Sequence, residues 1–134
     1  MGTGLVGTVT SYLDTQSAIW LCEARVAHFS PQAKKHIARS ALLISPMVLL
    51  EFQYLFEIGK TLVNARDLER KLQTDLGVTV CRLDFATVAT VALDENWTRD
   101  PFDRMIAANA KANNFSYLIT SDAKIRCHYA KAIW

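Results

Sequence analysis

The residues with the clearest chemical potential are acids far apart in the chain: Asp14, Glu51, Asp103 and Asp122. Asp14 directly follows the β-branched and aromatic run at 9–13, and Asp122 follows the run 117–120 after one residue. In open parallel sheets, sites form in the crevice beyond the carboxyl ends of the strands, which is where both acids fall. Each is equally suited to capping the helix that follows it, so either role satisfies the pattern. Glu51 shares a helical stripe with Met47, Leu55 and Ile58. On such an apolar face a carboxylate costs several kcal/mol unless it is protonated, bound to a metal or paired, and an arginine is its ordinary partner. The segment Arg99-Asp100-Pro101-Phe102-Asp103-Arg104 opens as an N-cap, a first-turn proline and a third-position acid. Capping alone accounts for that order, yet it also aims Asp103 from the first helical turn.

If these acids share one cleft, Coulomb's law sets a condition. Two unit charges about 5 Å apart repel by roughly 3 kcal/mol at an effective dielectric of 20, so the cleft cannot remain both fully ionised and empty. Some acids hold protons, or a divalent cation lies among them. Oxygen donors without nearby Cys or His favour Mg²⁺ or Mn²⁺ over zinc. Arg99, Arg104, Lys124 and Arg126 flank the acidic segments and are candidates for gripping a nucleic-acid backbone, with Lys34, Lys35 and Arg39 as a second patch. For any one of them, solvated surface charge is the simpler reading. Glu57, Asp67, Glu69 and Asp75 lie in polar helical stretches and read as solvated.

The elements that must position these groups alternate. Strands are expected at 9–13, 42–44, 78–83, 117–120 and, at an edge, 130–134. Helices are expected at 17–24, from Ser30-Pro31 onward with Ala33, Ile37, Ala38 and Ala41 inward, at 47–58, 64–76, 85–93 and 101–113, with a helical turn at 122–127. Ser before Pro is a cap signal at both 30–31 and 45–46, and Gly59 and Gly77 are stop signals. Strand and helix in alternation predict an α/β fold, a three-layer α/β/α sandwich around a mainly parallel sheet. No repeat or linker divides the chain, so a single domain over residues 1–134 is expected, with 1–8 as a flexible N-terminal extension.

Composition narrows the class. The chain has 134 residues, 51% hydrophobic and 21% charged, enough apolar side chains for one core and too many for a disordered tail. A net charge of +2 is too mild to declare a nucleic-acid or membrane binder by itself. Cys22, Cys81 and Cys127 are odd in number and form no C-x-x-C pair, which argues against a disulfide framework and a thiolate zinc site. No apolar run approaches a membrane span, and the start lacks a secretion signal, so a soluble cytoplasmic protein is expected.

The pieces Leu13-Asp14-Thr15, Glu51 after Ser45-Pro46, Arg99 to Arg104 leading into Ile106-Ala107-Ala108, Leu118-Ile119-Thr120-Ser121-Asp122 and the ending His128 to Trp134 occur in a distinctive order. Together they resemble the PIN-domain family, and more narrowly the VapC-type ribonuclease toxins of bacterial toxin and antitoxin pairs. The resemblance runs nearly end to end, departing at Ala130, where relatives often have Pro, and before the first strand. It implies a PIN fold, a Mg²⁺- or Mn²⁺-dependent endoribonuclease, a neutralising VapB-type antitoxin and a homodimer. By the same resemblance Asp14, Glu51, Asp103 and Asp122 are the metal-binding and catalytic set, with Asp100 as a fifth position that some relatives use and others only cap with. Thr15 and Thr120 match supporting hydroxyls. Two rivals stand beside this reading: a catalytically silent module that binds RNA or protein, and a receiver-like signalling domain. The adjacent acidic pair usual after a receiver's first strand is missing, since Asp14 stands alone.

Overall fold

Five parallel strands, β1 (Val9–Leu13), β2 (Ser40–Ile44), β3 (Thr79–Val80), β4 (Tyr117–Ile119) and β5 (Ala132–Ile133), form one sheet in the order β3-β2-β1-β4-β5. This is seen in a computed structural model that describes residues 9–134, so the expected extension at 1–8 lies outside the described residues. Seven α-helices flank the sheet: α1 (Thr15–Cys22), α2 (Pro31–Arg39), α3 (Pro46–Glu57), α4 (Ala65–Leu76), α5 (Phe85–Ala92), α6 (Pro101–Ala112) and α7 (Ala123–His128). The expected α/β architecture is present, and every strand pairing among the described residues is parallel.

Local sequence explains where the helices begin. Asp14, Ser30, Ser45, Asn64, Asp84, Asp100 and Asp122 are the N-caps, each accepting a hydrogen bond from a first-turn amide. Pro stands in the first turn of α2, α3 and α6, where its missing N–H is not needed. Gly77 closes α4 at φ 67°, a left-handed conformation that favours glycine.

Three expectations change in detail. α1 starts at Thr15 rather than at 17, because Asp14 caps it directly, and a short 3-10 turn, Val26–His28, follows it. The strand expected over 78–83 pairs only at Thr79–Val80, and the last strand only at Ala132–Ile133; both are sheet edges, where one neighbour is missing. On α2 the buried side chains are Ala33 and His36, while Ala38 is exposed and Ala41 belongs to β2.

β1 lies at the centre, and its Ser11, Tyr12 and Leu13 are wholly buried, as expected of a strand covered on both faces. Tyr12 places its hydroxyl inside, donating to Cys81 Sγ at 3.0 Å and accepting from Asn113 Nδ2 at 2.9 Å. Phe52, Leu68, Leu72, Ile106 and Leu118 complete the interior around it. Cys22, Cys81 and Cys127 are all free thiols.

Strand order decides where a site can form. From β1 the chain moves outward through β2 to β3, then returns to place β4 on the other side of β1. The seam between β1 and β4 is therefore the topological switch point, where crossovers diverge and leave a crevice. The same order excludes the receiver-like reading, whose flavodoxin-like sheet runs 2-1-3-4-5.

Candidate active site

Asp14 sits at the carboxyl end of that seam: it follows Leu13, and its backbone N–H donates to the Ile119 carbonyl of β4 at 3.2 Å. Ser17 strengthens the joint, donating its hydroxyl to Ile119 O at 3.0 Å and its amide to Asp14 Oδ1 at 2.8 Å. Beyond the seam opens a cavity of about 280 Å³. Asp14, Glu51, Asp103 and Asp122 all line it, together with Thr15, Gln16, Ser121 and the apolar Ile19, Leu55 and Ile125.

Asp14 and Asp122 cap helices and line the cavity at once. The caps engage Oδ1 of each carboxylate, at 2.8 Å from Ser17 N and 2.9 Å from Ile125 N. A carboxylate has two oxygens and about four lone-pair sites, so capping leaves acceptor capacity for the cleft. Thr120 sits between the two acids. Its hydroxyl oxygen accepts from the Asp122 amide at 3.0 Å, and the group helps hold Asp14 in its charged form.

Glu51 is half-buried on the cleft wall. The core face of α3 is Val48 and Phe52, whereas Met47 and Leu55 are half-buried and Ile58 is 49% exposed, so the stripe expected to be an apolar face is a boundary. No arginine pairs with Glu51 among the described residues; its partner is the Thr15 hydroxyl, which donates to Oε1. Of the other acids expected to be solvated, Asp67 and Asp75 pair with Arg70 and Lys71 at the surface, Glu57 is exposed, and Glu69 is half-buried.

Electrostatics bind these acids into one group. Burial pushes the Asp103 carboxyl up to about 7, and the charges of Asp100, Asp122, Glu51 and Asp14 push it in the same direction. Asp14 is raised by burial and by Asp122, against hydrogen bonds from Thr120 and Ser17. Glu51 is raised by burial and by Asp100 and Asp14, against the bond from Thr15. Buried like charges disfavour ionisation, and a cation relieves all of these shifts together.

Among the described residues no three His, Cys, Asp or Glu side chains are arranged as a ready-made metal cage. The donor set nevertheless fits a hard divalent ion: every polar donor lining the cavity is oxygen apart from the Gln16 amide, and the carboxylates oppose one another's ionisation. Mg²⁺ retains several waters and uses few protein ligands, so it does not require a closed cage.

The remaining expected residues divide. Asp100 is exposed and does not line the cavity; its Oδ1 accepts from Phe102 N at 2.8 Å and Asp103 N at 3.3 Å. Arg99 is exposed and donates to the Asn96 carbonyl at 3.2 Å. Lys124 and Arg126 are exposed on α7, on either side of the cavity-lining Ile125, and Lys34, Lys35 and Arg39 are exposed on α2. Arg104 has an internal partner: its Nη2 donates to the Leu93 carbonyl at the end of α5, 3.2 Å away. Gln16, Ser17, Ser121 and the apolar walls were not anticipated. Their only signal is adjacency to the acids or helical spacing, which does not report that α1, α3 and α7 converge.

A family model described as PIN domain matches residues 11–131. The chain belongs to the PIN-domain family. The match spans each of the cavity acids, from Asp14 to Asp122. This PIN fold is similar to a chain in the crystal structure of VapBC2 from Rickettsia felis bound to a DNA fragment from their promoter, with TM-score 0.61 and 17% identity over 89% of this chain and 92% of that one. It is also similar to a chain in the crystal structure of DNA-bound VapBC from Salmonella typhimurium, with TM-score 0.56 and 19% identity over 93% and 96%. At these identities the likeness concerns the PIN fold. No curated protein matches the chain. No helix among the described residues is long and apolar enough to cross a membrane.

Proposed function

We propose that this PIN domain is a VapC-type endoribonuclease, the cytoplasmic toxin of a type II toxin-antitoxin pair, which hydrolyses RNA phosphodiester bonds with Mg²⁺ or Mn²⁺. The observation that supports this most is the convergence of Asp14, Glu51, Asp103 and Asp122, from separate segments, on one cavity at the switch point. In this reading they hold the ion, directly or through water. When bound, the ion supplies a more acidic water and a counter-charge for the phosphate. Thr15 keeps Glu51 turned toward α1, and Thr120 steadies the Asp122 turn beside Asp14. Ile19, Leu55 and Ile125 limit water around the acids and strengthen their fields. Arg99, Lys124 and Arg126 flank the acidic segments in sequence and, in this reading, engage backbone phosphates. No side-chain nucleophile is required. A VapB-type antitoxin is the expected partner, by likeness to chains from VapBC complexes.

The test is cleavage of structured RNA by the purified chain. Cleavage is expected with Mg²⁺ or Mn²⁺ and not in EDTA, and Asp14→Asn or Asp103→Asn should lower it by on the order of 100-fold. Undiminished cleavage by either variant, or in EDTA, removes the mechanism. If RNA is bound but never cut, the chain is the silent binding module instead.

A further inference from the structure

A second set of polar and aromatic groups links the two helices that carry Asp103 and Asp122. Glu95 lies in the loop before α6 and is only 5% exposed. Its Oε2 accepts from Lys111 Nζ of α6 at 3.1 Å, and its Oε1 accepts from Trp97 Nε1 of the same loop at 3.2 Å. The Trp97 ring then stacks on His128, the last residue of α7, with centroids 5.4 Å apart and planes 6° from parallel. One residue further along the loop, Thr98 Oγ1 accepts from the Asp100 amide at 3.1 Å, which leads into the cap of α6. One continuous path thus runs from α6 through Glu95 and Trp97 to α7.

The ends of that path matter because the acids occupy the opposite ends of the same helices. Asp100 and Asp103 belong to the first turn of α6, and Asp122 caps α7. β4 and the turn at 120–122 join these helices in sequence and pin the start of α7 to the sheet, whereas the approach of α6 depends on its packing and on the loop before it. Burying Glu95 away from the cleft is worthwhile only if its bonds hold something, since a buried carboxylate without partners is strongly unfavourable.

We propose that Trp97 is a positioning residue: bridging Glu95 to the His128 ring, it holds the loop that leads into α6 against the end of α7 and so sets the separation of Asp103 and Asp122 across the cleft. This rests on the reading of those acids as the nuclease set. Trp97 does not line the cavity and acts through the two helices. A displacement of about 1 Å at a catalytic group is enough to lower a rate by around 100-fold.

The test uses the full chain with His128→Ala, which removes the stack at an exposed position, His128→Phe, which restores a ring, and Trp97→Leu. Backbone amide exchange at Phe102, Asp103 and Ile125 is read alongside Mn²⁺-dependent RNA cleavage. His128→Ala and Trp97→Leu should speed exchange at those amides and raise the Mn²⁺ concentration for half-maximal cleavage by on the order of tenfold, with His128→Phe close to the parent protein. Unchanged exchange and unchanged Mn²⁺ demand in His128→Ala overturn the proposal, as does a loss of cleavage that Phe fails to restore. If the parent protein neither takes up Mn²⁺ nor cuts RNA, the nuclease reading fails. Amide exchange then decides by itself whether the bridge holds the helices.

Discussion

Asp103 is the residue at which burial and like charge act together most strongly. Its carboxyl is raised from 3.8 to about 7, so the folded chain binds that proton more tightly than the unfolded chain does. Between those values the folded state holds the extra proton. Stability from this group is therefore full below pH 3.8 and is lost as pH rises toward 7. The raised carboxyls of Asp14 and Glu51 act with the same sign. Three units would amount to about 4 kcal/mol, and solvent reaching a half-buried group reduces this to on the order of 2 kcal/mol. In metal-free protein, Asp103→Asn should thus gain about that much at pH 8 and little at pH 4, compared by urea unfolding at both pH values. Its side chain caps nothing, so no helix start is lost with it. A loss of more than about 2 kcal/mol at pH 8 would show that like-charge repulsion is not what the residue contributes.

At the scale of elements, the helix starts show how one residue serves two ends. Asp14 and Asp122 begin α1 and α7 with one oxygen and face the cavity, so cap and site are compatible roles. Asp100 differs, since it caps α6 from outside the cavity. Asp100→Asn keeps an acceptor for the Phe102 and Asp103 amides, so it should melt like the parent and retain RNA cleavage. Asp100→Ala should lose about 1 kcal/mol, read as a lower melting temperature. Loss of cleavage in the Asn variant with its melting unchanged would instead make Asp100 a ligand. Arg104, beside Asp103, also ties two helices together: one guanidinium nitrogen donates to the Leu93 carbonyl at the C-cap of α5, where the helix end is electronegative.

For the whole molecule, the consequence of strand order is that one crevice gathers acids from the residue after β1, from α3, from α6 and from the turn after β4. The outer surface carries a second pattern. Leu50 and Tyr54 on α3, with Phe85 and Leu93 at the two ends of α5, are large apolar side chains more than half exposed. A homodimer covering part of this surface is expected, with gel filtration at micromolar concentration giving twice the monomer mass. Elution as a monomer would count against it.

Ser30-Pro31, Ser45-Pro46, Asp100-Pro101 and Gly77 marked helix ends correctly because caps and stops are made by residues a few positions apart. The central strand at 9–13 and the acids after β1 and β4 were equally readable, since a strand's composition and the residue behind it are local properties. Tertiary packing alone decided that β3 and β5 are two-residue edges, that Glu51 stands at a cleft wall with Thr15 rather than an arginine, and that Glu95 is buried beneath Trp97. These outcomes depend on which distant segments become neighbours. Pairing, burial and field strength act through space, and separation along the chain places no close bound on distance in the fold.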